Sequence, residues 1–202
     1  MRYGFFALIS RMKNITRWSL MRNTTAENVQ EHSLMVAVIA HALAVIRRDV
    51  FGKEADPGAV AAAALFHDAG EIFTGDMPTP IKYFDPAFIK SYKKIEAVAS
   101  DKLLLSLPEA MRRAYMPLLA ADDKQICQMV KAADKIAAYI KCLEEIKSGN
   151  NEFKNAAEQT LGKLREMDMR EIEYFIEHFI PAFGLTLDEL EFSFEREKPL
   201  YD

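Results

Sequence analysis

The chain has 202 residues, a formal net charge of −4, and hydrophobic side chains at 50% of its positions. This length allows one sizeable domain, and two small domains are the less economical division. A chain of this size that gripped nucleic acid non-specifically would carry a basic excess, so the charge argues against a nucleic-acid polymer as partner. A local anion site stays open, because basic residues concentrate near the start: Arg2, Arg11, Lys13, Arg17 and Arg22.

The two cysteines indicate a reducing compartment. Cys127 and Cys142 fall in one predicted helix, where they lie about four turns apart and therefore cannot bond to each other. Free thiols and the lack of a secretory signal lead us to expect a cytoplasmic protein. No apolar run reaches the eighteen or so residues of a membrane span, so we expect no membrane partner.

Helical periodicity dominates the sequence, and no convincing alternating strand is present, so we predict an all-α fold. We expect a single domain over residues 1–202, with a charged C-terminal tail from about residue 191. In the first half of the chain we predict a short helix through Phe5 and Met12, a long one capped within Asn23 to Glu27 and ending near Arg48, and one that begins at Pro57 or Gly58. Further helices are predicted from Pro86, from Pro108 to near Ala121, and from a cap at Asp122 and Asp123 to near Lys147. The last two predicted helices cover Glu152 to Arg165 and Met169 to Phe179.

Four side chains on three predicted helices have the chemistry of a metal site. His32 falls on the inward stripe of the long helix, and His67 and Asp68 follow an Ala-rich apolar run. Asp134 lies on or beside the buried stripe of a later helix, where an ionised carboxylate is costly unless it is paired or bound to a metal. Imidazole and carboxylate together suit borderline divalent ions, and a catalytic site needs three or four such ligands with one position open.

Each of these residues also has an ordinary structural interpretation. His32 could be a satisfied core histidine, the His67–Asp68 pair could cap a helix, and Asp134 could pair with Lys131 or Lys135. Two further carboxylates, Glu71 and Asp76, follow the His–Asp pair within ten residues. Taken jointly, the six residues favour a hydrolytic metal site.

The sequence resembles one family over nearly its whole length. The His32, His67–Asp68 and Asp134 pattern is similar to that of HD-domain metal-dependent phosphohydrolases, and longer segments resemble the bacterial HD-domain 5′-deoxynucleotidases (YfbR-like). The Arg17–Trp18 pair and the loop Gly75-Asp76-Met77-Pro78-Thr79-Pro80-Ile81-Lys82 carry this closer resemblance. It extends through the segments 9–23, 27–34, 74–84, 139–145 and 149–153.

The resemblance implies an HD-domain helical bundle that forms a homodimer and removes phosphate from 2′-deoxynucleoside 5′-monophosphates. It implies one divalent ion, such as Co, Mn or Cu, on His32, His67, Asp68 and Asp134. The catalytic and substrate positions that it implies are Arg17, Trp18, Glu71, Asp76, Thr79, Pro80, Ile81 and Lys82.

The residue types suggest how such a site would work. Arg17 suits a phosphate because its planar fork can hold two oxygens. Glu71, taken to be one helical turn after His67, could orient the attacking water or take its proton, and Asp76 could protonate the leaving 5′ oxygen or hold the sugar. Trp18 could plug the core or pack on deoxyribose, where it would reject a 2′-hydroxyl. Lys82 could add charge near the phosphate or be merely solvated, and Thr79 could bond the substrate or cap a turn.

Two rival functions remain at this point. One is another HD-domain hydrolase that acts on deoxynucleoside triphosphates, guanosine tetraphosphate or cyclic dinucleotides. The chain has four histidines, which is few for a two-metal phosphodiesterase, and Lys82 is the only basic residue near the His–Asp pair. The other rival is a non-enzymatic, metal-binding helical dimer module. Glu71 and Asp76 argue against it, because a closed structural site would not need them.

Overall fold

The computed structural model describes residues 2–82 and 85–191, and its regular elements within these ranges are helices joined by loops. The predicted tail lies mostly outside the described residues. The α-helices are α1 Phe5–Ile9, α2 Val29–Val45, α3 Pro57–Leu65, α4 Glu71–Thr74, α5 Thr79–Lys82, α6 Pro86–Leu105, α7 Glu109–Leu119, α8 Lys124–Lys147, α9 Lys154–Glu166, α10 Arg170–His178 and α11 Leu187–Glu191; 3-10 turns cover Ser10–Asn14, Asn151–Phe153 and Ile180–Gly184.

Side-chain caps set the starts of the main helices. Asp56, Asp85 and Asp123 each accept a hydrogen bond from a first-turn backbone N–H, and proline follows the first two at the first helical position. The predicted starts at Pro57, Pro86 and Asp123 are therefore confirmed. The cap of α2 is Asn28, in a capping box with Glu31, and not a residue of the 23–27 segment as the sequence suggested.

Helix α2 lies at the centre of the core, between α3 and α8. It continues as a π-helical turn over Ile46–Val50, and the 22 residues Val29–Val50 are apolar enough to pass for a membrane span by length and composition. The expectation that no such run exists was wrong. However, 56% of the 18-residue apolar window within it is buried inside the protein, so its apolar character reflects a central position in the core.

The Ala-rich helix α3 ends earlier than the sequence suggested. It stops at Leu65, and the next residues form tight turns in which an amide donates to the carbonyl three residues earlier. The His67 amide donates to the Ala64 carbonyl, and the Glu71 amide donates to the Asp68 carbonyl. His67 and Asp68 therefore lie in a tight turn rather than on a helix. Successive side chains of an α-helix point about 100° apart, which would keep His67 and Asp68 away from each other. The turn allows these two side chains to come into contact.

A buried ion pair anchors the loop between Asn14 and α2. Lys141 and Glu145 on α8 are 5% and 1% exposed, and the Lys141 ammonium donates to both Glu145 and the Thr25 carbonyl. Glu145 also accepts hydrogen bonds from the Thr24 amide and hydroxyl, the Thr25 amide and the Asn150 side chain. Burial alone would raise the pKa of Glu145, but these donors lower it well below its ordinary value.

We expect Glu145→Gln to destabilise the fold by about 3 to 5 kcal/mol, because it leaves the Lys141 charge buried without its partner. The measurement is urea unfolding at neutral pH, with Glu144→Gln as the matched control at an exposed neighbour. Since the pKa of Glu145 is lower in the folded chain, its stabilisation is complete above its ordinary pKa of 4.5 and is lost on further acidification. Equal stability of the two variants at neutral pH would contradict this account of the ion pair.

Candidate active site

His32 of α2 and the His67–Asp68 pair of the turn after α3 come together, and Asp134 of α8 contacts His32. The His32 Nε2 atom lies 3.1 Å from Asp134 Oδ1 and 3.7 Å from Asp68 Oδ2, and His67 Nε2 lies 3.1 Å from Asp68 Oδ2. One ligand atom each of His32, His67 and Asp68 lie within 4.8 Å of one another. Asp134 pairs with His32, and neither Lys131 nor Lys135 forms a described ion pair with it.

The protonation geometry of His67 fits a cation at this point. Its Nδ1 is 2.7 Å from the Ala64 carbonyl, so Nδ1 carries a hydrogen and donates it. In a neutral ring the Nε2 lone pair then faces the Asp68 carboxylate, and this buried Nε2 has no hydrogen-bond partner among the described residues. Two electron-rich groups in contact repel unless a proton or metal ion lies between them.

The electrostatics of the two histidine-bound carboxylates agree with this arrangement. Burial would raise the pKa of Asp68 and Asp134, but the neighbouring His67 and His32 lower both. In turn, burial acts to lower the pKa of His67, and the two carboxylates outweigh it and raise the pKa to about 9. Ligands of one small divalent ion lie about 3 Å apart, since each is about 2.1 Å from the ion. His32, His67 and Asp68 could therefore hold a divalent metal, and Asp134 lies against His32 at its edge.

The cluster is accessible on the Asp134 side. The Asp134 side chain is 38% exposed, while His32 is 1% exposed at the base of the site. A closed structural site would cover all of its ligands, whereas a catalytic one needs a position for water or substrate. The exposure of Asp134 favours the second kind of site.

Arg17 lies beside the cluster, as the sequence suggested. Its side chain is 11% exposed, Nη1 is 3.4 Å from Asp68 Oδ2, and Nε donates to Glu27 Oε2 over 3.1 Å. Burial acts to lower the pKa of Arg17, but the carboxylates of Asp68, Asp134, Glu27 and Asp76 raise it overall. Arg17 is therefore a fixed positive charge at the edge of an acidic centre.

Glu71 begins the short helix α4, and Asp76 follows its end. Glu71 is 9% exposed, and its Oε2 is buried without a hydrogen-bond partner. Burial raises the pKa of Glu71 to about 9, with the Asp68 and Asp76 charges adding to the effect. Gly75 ends α4 at φ +72, a conformation that favours glycine, and the chain then turns to Asp76. Burial also raises the pKa of Asp76, which interacts with Arg17 and Asp68.

The predicted substrate loop is only partly described. The backbone of Thr79 and Pro80 belongs to α5, and their side chains lie outside the described part of the structure. Ile81 is 50% exposed. Lys82 pairs with Glu96 at 3.0 Å and lies over the Tyr92 ring at 4.9 Å, so it is not a freely solvated lysine.

Trp18, which follows Arg17 in the chain, is partly buried. Its ring contacts Phe153 with a centroid distance of 5.3 Å, and its indole N–H donates to Glu27 Oε2 over 3.1 Å. Glu27 thus joins the two residues of the Arg17–Trp18 pair. We interpreted Glu27 from sequence only as a helix-cap candidate, because no local pattern indicates a contact that forms across a loop.

The remaining histidines stay apart from the cluster. His41 is exposed on α2, and His178 is 48% exposed beside Tyr174. The predicted metal set therefore uses two of the four histidines in the chain.

The sequence and fold match known proteins over most of their length. The family model for 5′-deoxynucleotidase YfbR-like proteins matches residues 4–183. A 5′-deoxynucleotidase of Vibrio cholerae is 50% identical over 188 residues, which cover 92% of this chain and 97% of that protein. The 5′-deoxynucleotidase YfbR of Escherichia coli is 47% identical over 189 residues, which cover 92% and 94% of the two chains.

A solved structure has the same fold. It is an HD-domain phosphohydrolase from Listeria innocua, with a TM-score of 0.77 at 25% identity, and the match covers 95% of this chain and 97% of that one. The all-helical, single-domain prediction is therefore confirmed. The chain is a phosphomonoester hydrolase, and it belongs to the YfbR-like 5′-deoxynucleotidase family within the HD-domain phosphohydrolases.

Proposed function

We propose that this chain hydrolyses 2′-deoxynucleoside 5′-monophosphates to the deoxynucleoside and inorganic phosphate. The proposal includes one divalent metal ion, such as Co, Mn or Cu, held by His32, His67, Asp68 and Asp134. The observation that carries it is the convergence of these four side chains beside Arg17, in a family of 5′-deoxynucleotidases. A divalent ion in such a site lowers the pKa of water and stabilises phosphoryl oxygens.

Arg17 binds and orients the phosphate in this proposal. A guanidinium has five N–H donors, and here Nε is occupied by Glu27 while Nη1 is within 3.4 Å of Asp68. The remaining donors are available for two phosphate oxygens. Because the side chain is already held in place, less conformational entropy is lost when the phosphate binds.

Glu71 and Asp76 move the protons in this proposal. Hydrolysis of a phosphomonoester needs the attacking water to lose a proton and the 5′ oxygen to gain one. Glu71 is the more buried carboxyl group, and its buried Oε2 has no described hydrogen-bond partner, so it is available to a water molecule. We assign the attacking water to Glu71 and the leaving 5′ oxygen to Asp76, which follows the Gly75 turn at the start of the substrate loop.

The sugar and base are recognised by the flanking residues in this proposal. Trp18 forms an apolar wall beside Arg17 where a ribose 2′-hydroxyl would be crowded and unpaired. The loop Thr79, Pro80, Ile81 and Lys82 lies on the opposite side of the substrate, and Lys82 supplies charge that already interacts with Asp68 and Glu71.

We also propose that the chain is cytoplasmic and forms a homodimer. Both cysteines are free, which suits a reducing compartment. Three apolar side chains of α2 are 40–61% exposed on neighbouring turns, and a second copy would cover them: Leu34, Met35 and Val38.

The function is tested by phosphate release from matched deoxy- and ribonucleoside monophosphates, with Co²⁺, with Mn²⁺ and with a chelator. We expect metal-dependent release from the deoxy compounds and at least about tenfold slower release from their ribo counterparts, since one crowded or unpaired hydroxyl costs about 1.4 kcal/mol or more. Deoxynucleoside triphosphates and guanosine tetraphosphate complete the panel. Preferred cleavage of either would favour the rival hydrolases, and no release with any metal would favour a non-enzymatic module.

Replacing Glu71 by Gln should lower kcat about 100- to 10 000-fold, because proton transfer to a positioned base contributes by that factor. Metal affinity should stay unchanged, since Glu71 is not one of the four proposed ligands. The measurements are steady-state kinetics and Co²⁺ titration calorimetry. Glu31→Gln is the control, since Gln preserves the capping box at an exposed site. Turnover of Glu71→Gln equal to that of the control would remove Glu71 from the mechanism.

A further inference from the structure

We propose that Glu27 is a positioning residue that locks Arg17 and Trp18 together, so that phosphate and sugar recognition are coupled. This inference rests on the proposed function. One oxygen, Glu27 Oε2, accepts hydrogen bonds from Arg17 Nε and Trp18 Nε1, each over 3.1 Å. Glu27 itself faces neither the substrate nor the metal cluster through any described contact, so it acts through its two partners.

The backbone fixes Glu27 opposite the residues that it holds. The Arg17 amide donates to the Glu27 carbonyl over 2.9 Å, and the Val29 amide donates to the Ile15 carbonyl over 3.0 Å. These bonds form an isolated antiparallel bridge between Thr16 and Asn28. The two ends of the loop are therefore joined by main-chain hydrogen bonds, and the Glu27 carboxylate adds side-chain hydrogen bonds to Arg17 and Trp18.

Trp18 adopts a conformation that needs this support. Its φ is +56, a left-handed value that bulky residues rarely adopt. The Trp18 carbonyl accepts hydrogen bonds from the Met21 amide and the Asn23 side chain, and its ring packs on Phe153. The indole N–H is the remaining polar group of this half-buried side chain, and Glu27 is its described acceptor.

Helix α8 holds the part of the loop that precedes Glu27. The Lys141–Glu145 pair of α8 binds the backbone of Thr24 and Thr25, only two or three residues before Glu27. Helix α8 also carries Asp134, so the metal cluster and the loop share one rigid support. The backbone around Glu27 is thus fixed, so its carboxylate can set the distance between the Arg17 guanidinium and the Trp18 ring.

The coupling follows from sharing one acceptor oxygen. When the Glu27 carboxylate is lost, Arg17 keeps Asp68 as a partner and would turn toward it, away from the phosphate. Trp18 would lose the bond that fixes the rotation of its ring. A purely structural glutamate would change stability alone, whereas a positioning residue changes substrate binding and sugar discrimination together.

The test compares Glu27→Ala, Glu27→Gln and the control Glu31→Gln. Trp18 is the only tryptophan in the chain, so all tryptophan emission reports on the group that Glu27 holds. For Glu27→Ala we expect KM for a deoxynucleoside monophosphate to rise about 10- to 100-fold, the range for losing a hydrogen bond to a charged group. We also expect the deoxy-to-ribo preference to fall and the Trp18 emission maximum to shift. Gln keeps one neutral acceptor, so we expect the KM, the deoxy-to-ribo preference and the emission maximum of Glu27→Gln to lie between those of Glu27→Ala and the wild type.

Several outcomes would overturn the coupling. They are an unchanged KM, a KM that rises with an unchanged deoxy-to-ribo preference, and an emission spectrum in Glu27→Ala identical to that of Glu31→Gln. Glu27→Gln provides the same comparisons if the Ala variant fails to fold. The emission comparison needs no turnover. It therefore decides whether Glu27 holds Trp18 even if the wild type releases no phosphate from any nucleotide. The absence of phosphate release would refute the proposed function and leave the contact between Glu27 and Trp18 to be decided by the emission spectra.

Discussion

The site depends on one contact, that of His67 Nε2 with the Asp68 carboxylate, which is favourable only when a proton or a metal ion lies between the two atoms. The Ala64 carbonyl fixes the tautomer by accepting from Nδ1, and the turn after α3 presses the two side chains together at 3.1 Å. Asp134 brings a second carboxylate to His32 at the same point. Such a group of acceptors is stable with a shared cation and costly without one.

The rest of the fold keeps these groups from separating. Helices α2, α3 and α8 form a common apolar core, so His32, the His–Asp turn and Asp134 are attached to elements that pack on one another. The loop with Arg17, Trp18 and Glu27 is attached to the same framework through the buried Lys141–Glu145 pair. A cationic fork for phosphate is thereby held beside an acidic centre, which is the arrangement that a phosphomonoester needs at a metal ion.

Periodicity and residue type predicted the elements that local physics controls. The inward stripe of α2 located His32, and the stripe of α8 showed that Asp134 was a carboxylate in a costly position. The proline and aspartate signals at Pro57, Pro86 and Asp123 marked helix starts, because caps act within one turn.

Features that depend on tertiary contacts were not predictable from the same patterns. No helix-breaking residue lies between Gly58 and Gly70, so the end of α3 at Leu65 could not be seen in the sequence. The roles of Glu27 and of the Lys141–Glu145 pair arise from contacts between segments that are distant in the chain or separated by a loop. The membrane-like composition of α2 likewise reflects burial, which only the packing of its neighbours reveals.

The central claim is that four side chains share one metal ion. The most direct measurement is anomalous diffraction from crystals grown with Mn²⁺. The account predicts a single anomalous peak about 2 Å from His32 Nε2, His67 Nε2 and carboxylate oxygens of Asp68 and Asp134. A peak elsewhere, or one that leaves Asp134 outside the coordination shell, would contradict it.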